Sequence, residues 1–212
     1  MHILKAAPAA LIALSLAACS SDGDITAAGI KVTRSACPNV AIPAATGDIT
    51  LFDPPPARTA DAIDVVATIT NLRSTCDESG DNVVTTTNFD VLATRREAGP
   101  AREIVLPYFA SVVQGGTNVV SKRLGRVAIR FEDGQVRGQA SGTATGNVLR
   151  SAATLPQEIR RRITRERKPG DADAALDPMA EPEVRAAVQR ATFEFLVGFQ
   201  LTQEQLAYNA TR

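Results

Sequence analysis

The chain of 212 residues contains no tryptophan and a single histidine, and aromatic side chains make up only 4% of it. That histidine is His2, at the start of the sequence. Ser-His-Asp and Cys-His catalysis need an imidazole base, so a chain that loses its first residues cannot perform either. Histidine-based zinc sites are excluded for the same reason. Any remaining catalysis would have to run on carboxylates, lysine, tyrosine or a Ser-Lys pair. No acidic pair stands out that could work as the two facing carboxylates of a glycan hydrolase. The expectation is therefore a non-enzymatic protein with no cofactor and no metal. Neither sign of charge is in excess, with 23 Lys and Arg against 23 Asp and Glu. Nothing in that balance suggests nucleic acid as a partner. A long apolar run is also missing: the stretch Ala9 to Ala18 falls short of the roughly 20 residues that a spanning helix needs.

That short stretch has a meaning of its own. Lys5 is the only charged side chain before Cys19, and small residues close the run. A basic start, a short apolar middle and a small-residue end describe a cleaved export signal over residues 1–18. Its last residues and the one that follows, Leu16-Ala17-Ala18-Cys19, resemble the lipobox of bacterial lipoproteins. The resemblance implies that the Cys19 thiol carries diacylglycerol and that cleavage before it frees a second site for acylation. Several acyl chains together, palmitate among them, make a stable membrane anchor, where a single chain does not. Residues 19–28, small and polar, then read as a flexible tether. In the lipoprotein family an Asp directly after the cysteine marks inner-membrane retention. Ser20 stands there instead, which implies the outer membrane, facing the periplasm.

Three cysteines is an odd number for an exported chain. With Cys19 used for lipid, Cys37 and Cys76 remain, and an oxidising compartment would join them. A metal pair is the other option, but no further Cys or His is at hand to complete it. Both cysteines sit beside turn formers, in "SACPN" and "STCDESGD", which suggests a staple between loops or strand ends.

From Gly29 to Leu149 the chain reads as β-structure. Runs rich in Val, Ile and Thr recur between turn signals: "GIKVTR", "GDITLF", "DAIDVVATITNL", "NVVTTTNFDVLAT", "AREIVLPYFASVV", "NVVSKRLGRVAIRFED" and "GQVRGQASGTATGNV". Arg126 to Glu132 alternates most cleanly, and Asp133-Gly134 after it is the dipeptide a type I′ hairpin prefers. In the return strand Val136, Gly138, Ala140 and Gly142 share one face, so a bulky group or another backbone should come close there. Seven short strands with a disulfide fit an antiparallel β-sandwich over residues 29–149. Strand number and spacing resemble the immunoglobulin and fibronectin type III class, without its core tryptophan. A β-barrel is the alternative.

Residues 150–212 read as a helical extension. Thr154 and Gln157 have capping-box spacing ahead of a helix over Pro156 to Arg167. An acidic, proline-rich linker follows at residues 169–182. A second helix is expected from Glu181 to Val197, with Gly198 ending it. Phe193, Phe195, Val197, Phe199 and Leu201 also alternate as a strand would; the Ala and Glu content favours the helix. A last capped turn is read in "TQEQLAY".

Two features invite a functional reading. Arg160, Arg161, Arg162 and Arg165, with Arg167 and Lys168, form a basic run that would suit anionic headgroups below the anchor or an acidic partner. The plainer reading is that these charges meet the acidic stretch Asp171, Asp173, Asp177, Glu181 and Glu183. "GDADAALD" starts with the ligand spacing of an EF-hand and then breaks it, with Ala175 and Leu176 where a ligand and a glycine belong. Asp77, Glu78 and Asp81 form an ordinary acidic turn. Taken together, these features predict an outer-membrane lipoprotein that acts as an accessory module toward another envelope protein. A periplasmic carrier for a small or apolar ligand is the alternative, suggested by the small-residue strand and the Phe193, Phe195, Phe199 and Tyr208 group.

Overall fold

The computed structural model describes residues 23–26, 29–32, 35–165, 170–171 and 176–211. The export signal and Cys19 lie outside the described residues. The chain divides into two compact units, one of residues 1–35 and 166–174, the other of residues 36–165 and 175–212. In the first, β1 (Gly23–Thr26) and β2 (Gly29–Val32) form an antiparallel hairpin. β1 thus falls inside the segment read as a tether, and β2 pairs with β1 rather than with the main sheets.

The second unit is mainly β. Its strands are β3 (Asn39–Ala41), β4 (Asp48–Phe52), β5 (Ile63–Asp77), β6 (Asn82–Arg95), β7 (Arg102–Gln114), β8 (Asn118–Phe131), β9 (Arg137–Leu149) and β10 (Phe193–Phe199). They form two four-stranded sheets, one in the order β3-β10-β7-β8 and the other β4-β5-β6-β9. Every pairing is antiparallel except β3 with β10. Alternation explains why the sheets share one core. Val83, Thr85, Thr87, Phe89, Val91 and Ala93 of β6 are buried at every second position, as strand geometry requires. They join Val65, Ala67 and Ile69 of β5, Leu106 and Val112 of β7, and Val127, Ile129 and Phe131 of β8. In the immunoglobulin arrangement the chain changes sheet after its first two strands. Here β4, β5 and β6 run as a meander within one sheet, so the likeness stops at two antiparallel-rich sheets.

Six of the expected strand segments reappear as β4 to β9, but their pairing differs in one place. Residues after Asp133-Gly134 do not return as a hairpin. β8 pairs with β7 and β9 with β6, so the turn carries the chain from one sheet to the other. Gly134 alone has positive φ (70°), with Gln135 N–H donating to Glu132 O at 3.0 Å. A type I′ turn needs positive φ at both central residues.

The C-terminal part is not only helical. Short helices α1 (Arg150–Ala153), α2 (Gln157–Thr164), α3 (Pro182–Arg190) and α4 (Gln203–Thr211) flank β10. The second expected helix ends at Arg190, and Phe193 to Phe199 is a strand lying between β3 and β7. Its Phe193, Phe195, Val197 and Phe199 complete the core. The alanines and all but one of the Glu residues fall in α3 and its two caps; β10 holds no alanine and one Glu, Glu194, and its alternation is a true strand period. Gly198 does not end a helix; it lets Thr46 close over β10, since a Cβ there would meet Thr46 Oγ1 at 2.3 Å. The capping box at α2 does not form, because Thr154 Oγ1 donates to Arg150 O instead. One forms at α4, where Gln205 N–H donates to Thr202 Oγ1 at 3.2 Å and Thr202 N–H to Gln205 Oε1 at 2.9 Å. α2 and α3 share a small core of Ile159, Val184 and Ala187.

Candidate interaction surfaces

The basic run lies on and just after α2. Arg162 donates to Glu183 at 2.8 Å and Glu181 at 3.4 Å, and the Glu183 carboxylate raises its pKa above the ordinary arginine value. This part of the run therefore meets the acidic stretch. Arg160, Arg161 and Arg165 are exposed, and no ion pair joins Arg160 or Arg161 to a described residue. Arg167, Lys168 and Asp173 lie outside the described residues.

Cys37 and Cys76 are joined, with their Cα atoms 6.1 Å apart and a separation of 39 positions in sequence. Cys37 precedes β3. Cys76 lies at the end of β5, one residue before its last, and pairs across to Thr85 of β6, so on this side the staple joins at a strand end and not at a loop. The bridge thus links the segment before one sheet to the interior strands of the other. Glu78 Oε1 lies 2.9 Å from Cys37 Sγ, a contact with no hydrogen in it, because both sulfurs are oxidised. Two bonded sulfurs and one carboxylate do not make a metal site. Asp77 accepts Ser79 N–H at 2.8 Å, and that bond holds its carboxyl below the usual range. The acidic turn serves its own geometry.

The small-residue strand and the aromatic group pack against bulky neighbours in the core. A Cβ on Gly142 would meet the Phe89 ring at 2.3 Å, and one on Gly146 the Phe195 ring at 2.6 Å. Tyr208 belongs elsewhere. Its ring lies edge-on to Phe52 at 5.2 Å, while Asn209 donates to Ala45 O and Asp48 O at 2.9 and 2.7 Å, clamping α4 to the start of β4.

Two features escape a reading by composition. The first is Arg95, only 6% exposed although charged. It continues the buried alternation of β6 and ends in carbonyl groups. Nε donates to Gln135 O at 2.7 Å, Nη1 to Pro100 O at 2.8 Å and Nη2 to Gly99 O at 2.7 Å. The guanidinium thereby ties the sheet-switching turn to the β6–β7 loop. Two shallow depressions of about 510 and 430 Å³ adjoin it, both lined by Asp61, Ile63 and Arg96, and both open to solvent.

The second is β8. Asn118 to Leu124 are all exposed, before the buried alternation starts at Val127. Val119, Val120 and Leu124 are 58%, 55% and 68% exposed. On the outer face of the sheet Leu124 stands opposite Phe109, and Ala128 opposite Val105, itself exposed. Lys122 Nζ lies 4.9 Å from the centre of the Phe109 ring, a cation–π contact. β8 also holds Arg123, Arg126 and Arg130 and no acid. Arg130 pairs with Glu132 at 2.9 Å. Lys122, Arg123 and Arg126 form no ion pair with a described residue. The sequence signal was the adjacent pair Val119-Val120, where two-residue alternation fails. No family model, no curated protein and no solved structure matches this chain.

Proposed function

We propose that the protein is an outer-membrane lipoprotein, anchored through Cys19 and facing the periplasm, whose two-sheet, sandwich-like body is a non-enzymatic interaction module. The exposed apolar and basic half of β8 carries this reading. Three large apolar side chains on one short stretch, with cations beside them, suit a surface that a partner covers. The Cys37–Cys76 bridge supports an oxidising compartment. The carrier reading would need an enclosed apolar chamber; the depressions beside Arg95 are open and charged, and Phe89 and Phe195 pack directly onto the small-residue strand.

The anchor is tested by fractionation and intact mass. Wild-type protein is expected in the membrane pellet, with the mass of an acylated chain starting at Cys19. Cys19→Ala is expected in the soluble fraction. A wild-type chain that is soluble and unmodified would overturn the anchored reading.

A further inference from the structure

We propose that the open edge of β8 over Asn118–Leu124 binds an extended, acidic peptide segment of another envelope protein by strand addition. The inference rests on the interaction-module reading and names its surface and partner chemistry. β8 pairs with β7 on one side and with no described strand on the other, because β9 crosses to pair with β6. The gap between β8 and β9 is closed at Gly125. There the Tyr108 ring lies so near that a Cβ would meet it at 2.3 Å, and Tyr108 O–H donates to Thr143 O at 2.9 Å. From Leu124 back to Asn118 every side chain of β8 is exposed, whichever face it stands on. A row of N–H and C=O groups with no strand partner among the described residues therefore stands beside exposed Val119, Val120 and Leu124.

Three occupants can be weighed on this edge. A second copy, β8 against β8, would bring two sets of Lys122, Arg123 and Arg126 together, and like charges across a ladder are destabilising. Insertion into a lipid surface would carry the unpaired backbone groups of the edge into hydrocarbon, which is costly. An added strand satisfies those groups by main-chain hydrogen bonds, with side chains selecting the partner. Acidic residues on that strand would meet Lys122, Arg123 and Arg126, which form no ion pair with a described residue. Complementary charge then sets specificity and the rate of encounter.

The test uses the full chain extracted from membranes in a neutral detergent. Its probes are two synthetic peptides of about ten residues, long enough to cover the edge: one alternating Thr with Glu, the other alternating Thr with Lys. Anisotropy titration is expected to show binding of the Glu peptide, weakening between about 0.05 and 0.5 M salt. Hydrogen exchange is expected to slow at amides of Val119–Leu124 and not across the opposite sheet. Combined Lys122→Glu, Arg123→Glu and Arg126→Glu is expected to cost the Glu peptide about tenfold or more in affinity. Should the triple variant lose its thermal transition, Arg123→Glu alone serves. Equal binding of the two peptides, protection away from β8, protection that rises with protein concentration alone, or no binding would each overturn the proposal. Repeating the titration with Cys19→Ala separates the two readings. Peptide binding by a wild-type chain that is not acylated would leave the edge inference standing and remove only the anchor.

Discussion

Asp90, on the outer face of the β4-β5-β6-β9 sheet, illustrates how a single half-buried residue can couple stability to pH. Asn71 Nδ2 and Ser141 Oγ both donate to its carboxylate, and Arg73 lies 3.7 Å away. The Asn71 bond is the largest influence, and together these groups hold the carboxyl below the usual range. The native state therefore prefers the ionised form more than the unfolded chain does. Its contribution is complete above the ordinary carboxylate pKa and is lost as pH falls through the depressed native value. Denaturant midpoints followed from about pH 6 down to pH 2 should show Asp90→Asn less stable at neutral pH and less steeply acid-sensitive than wild type. Parallel curves for the two proteins would show that Asp90 is not a source of the acid dependence. Arg95 makes a complementary point. A cation so deeply buried carries no carboxylate among its hydrogen-bond partners; carbonyl oxygens of two loops take its N–H groups. Charge at this position is used to hold backbone, which a count of charged residues cannot reveal.

Among the elements, β10 is the one on which the first sheet depends. It lies between β3 and β7, and Phe195 is buried against Gly146 of the facing sheet. Phe195→Ala should cost about 3 to 5 kcal/mol in chemical denaturation, the range for a truncated core aromatic. A cost below about 1 kcal/mol would mean the neighbouring strands collapse onto the space. The same strand shows what was legible beforehand. β4 to β9 announce themselves by Val, Ile and Thr recurring between turn residues, and they were found where expected; β6 alternates a wet and a dry face most regularly. β10 is apolar nearly throughout because it is central, and it abuts an Ala-rich helix. Its alternation competed with the composition of α3, and composition was the weaker guide. Pairing was less legible still. Asp133-Gly134 marks a turn correctly, but whether a turn joins neighbours or switches sheets depends on partners far off in sequence: here β6, which takes β9, and Arg95 of β6, which holds the turn at Gln135 O. The free edge of β8 could not be read in advance either, since it arises from where β9 goes.

For the molecule as a whole, the Cys37–Cys76 bridge ties the approach to β3 in one sheet to β5 in the other. Closing a loop of 39 residues restricts the unfolded chain. Removing it by Cys37→Ala with Cys76→Ala should lower stability by about 2 to 4 kcal/mol on the loop-closure account. A loss of under about 0.5 kcal/mol would show that the bridge adds little beyond what the shared core already fixes.

The parallel pairing of β3 with β10 has a further consequence, in the order of assembly. β4, β5 and β6 follow one another in the chain and adjoin one another in space, so most of one sheet can form before the C-terminal residues take part. The other sheet has its earliest strand and β7 separated by a gap that only residues 193–199 can fill. Until those residues emerge, β3 and β7 are both raw edges, and a product stopped anywhere between Gln114 and Phe193 keeps them so. Such fragments expose the unpaired strands that proteases and chaperones engage, so the docking of residues 193–199 is the step that commits this sheet to its native form.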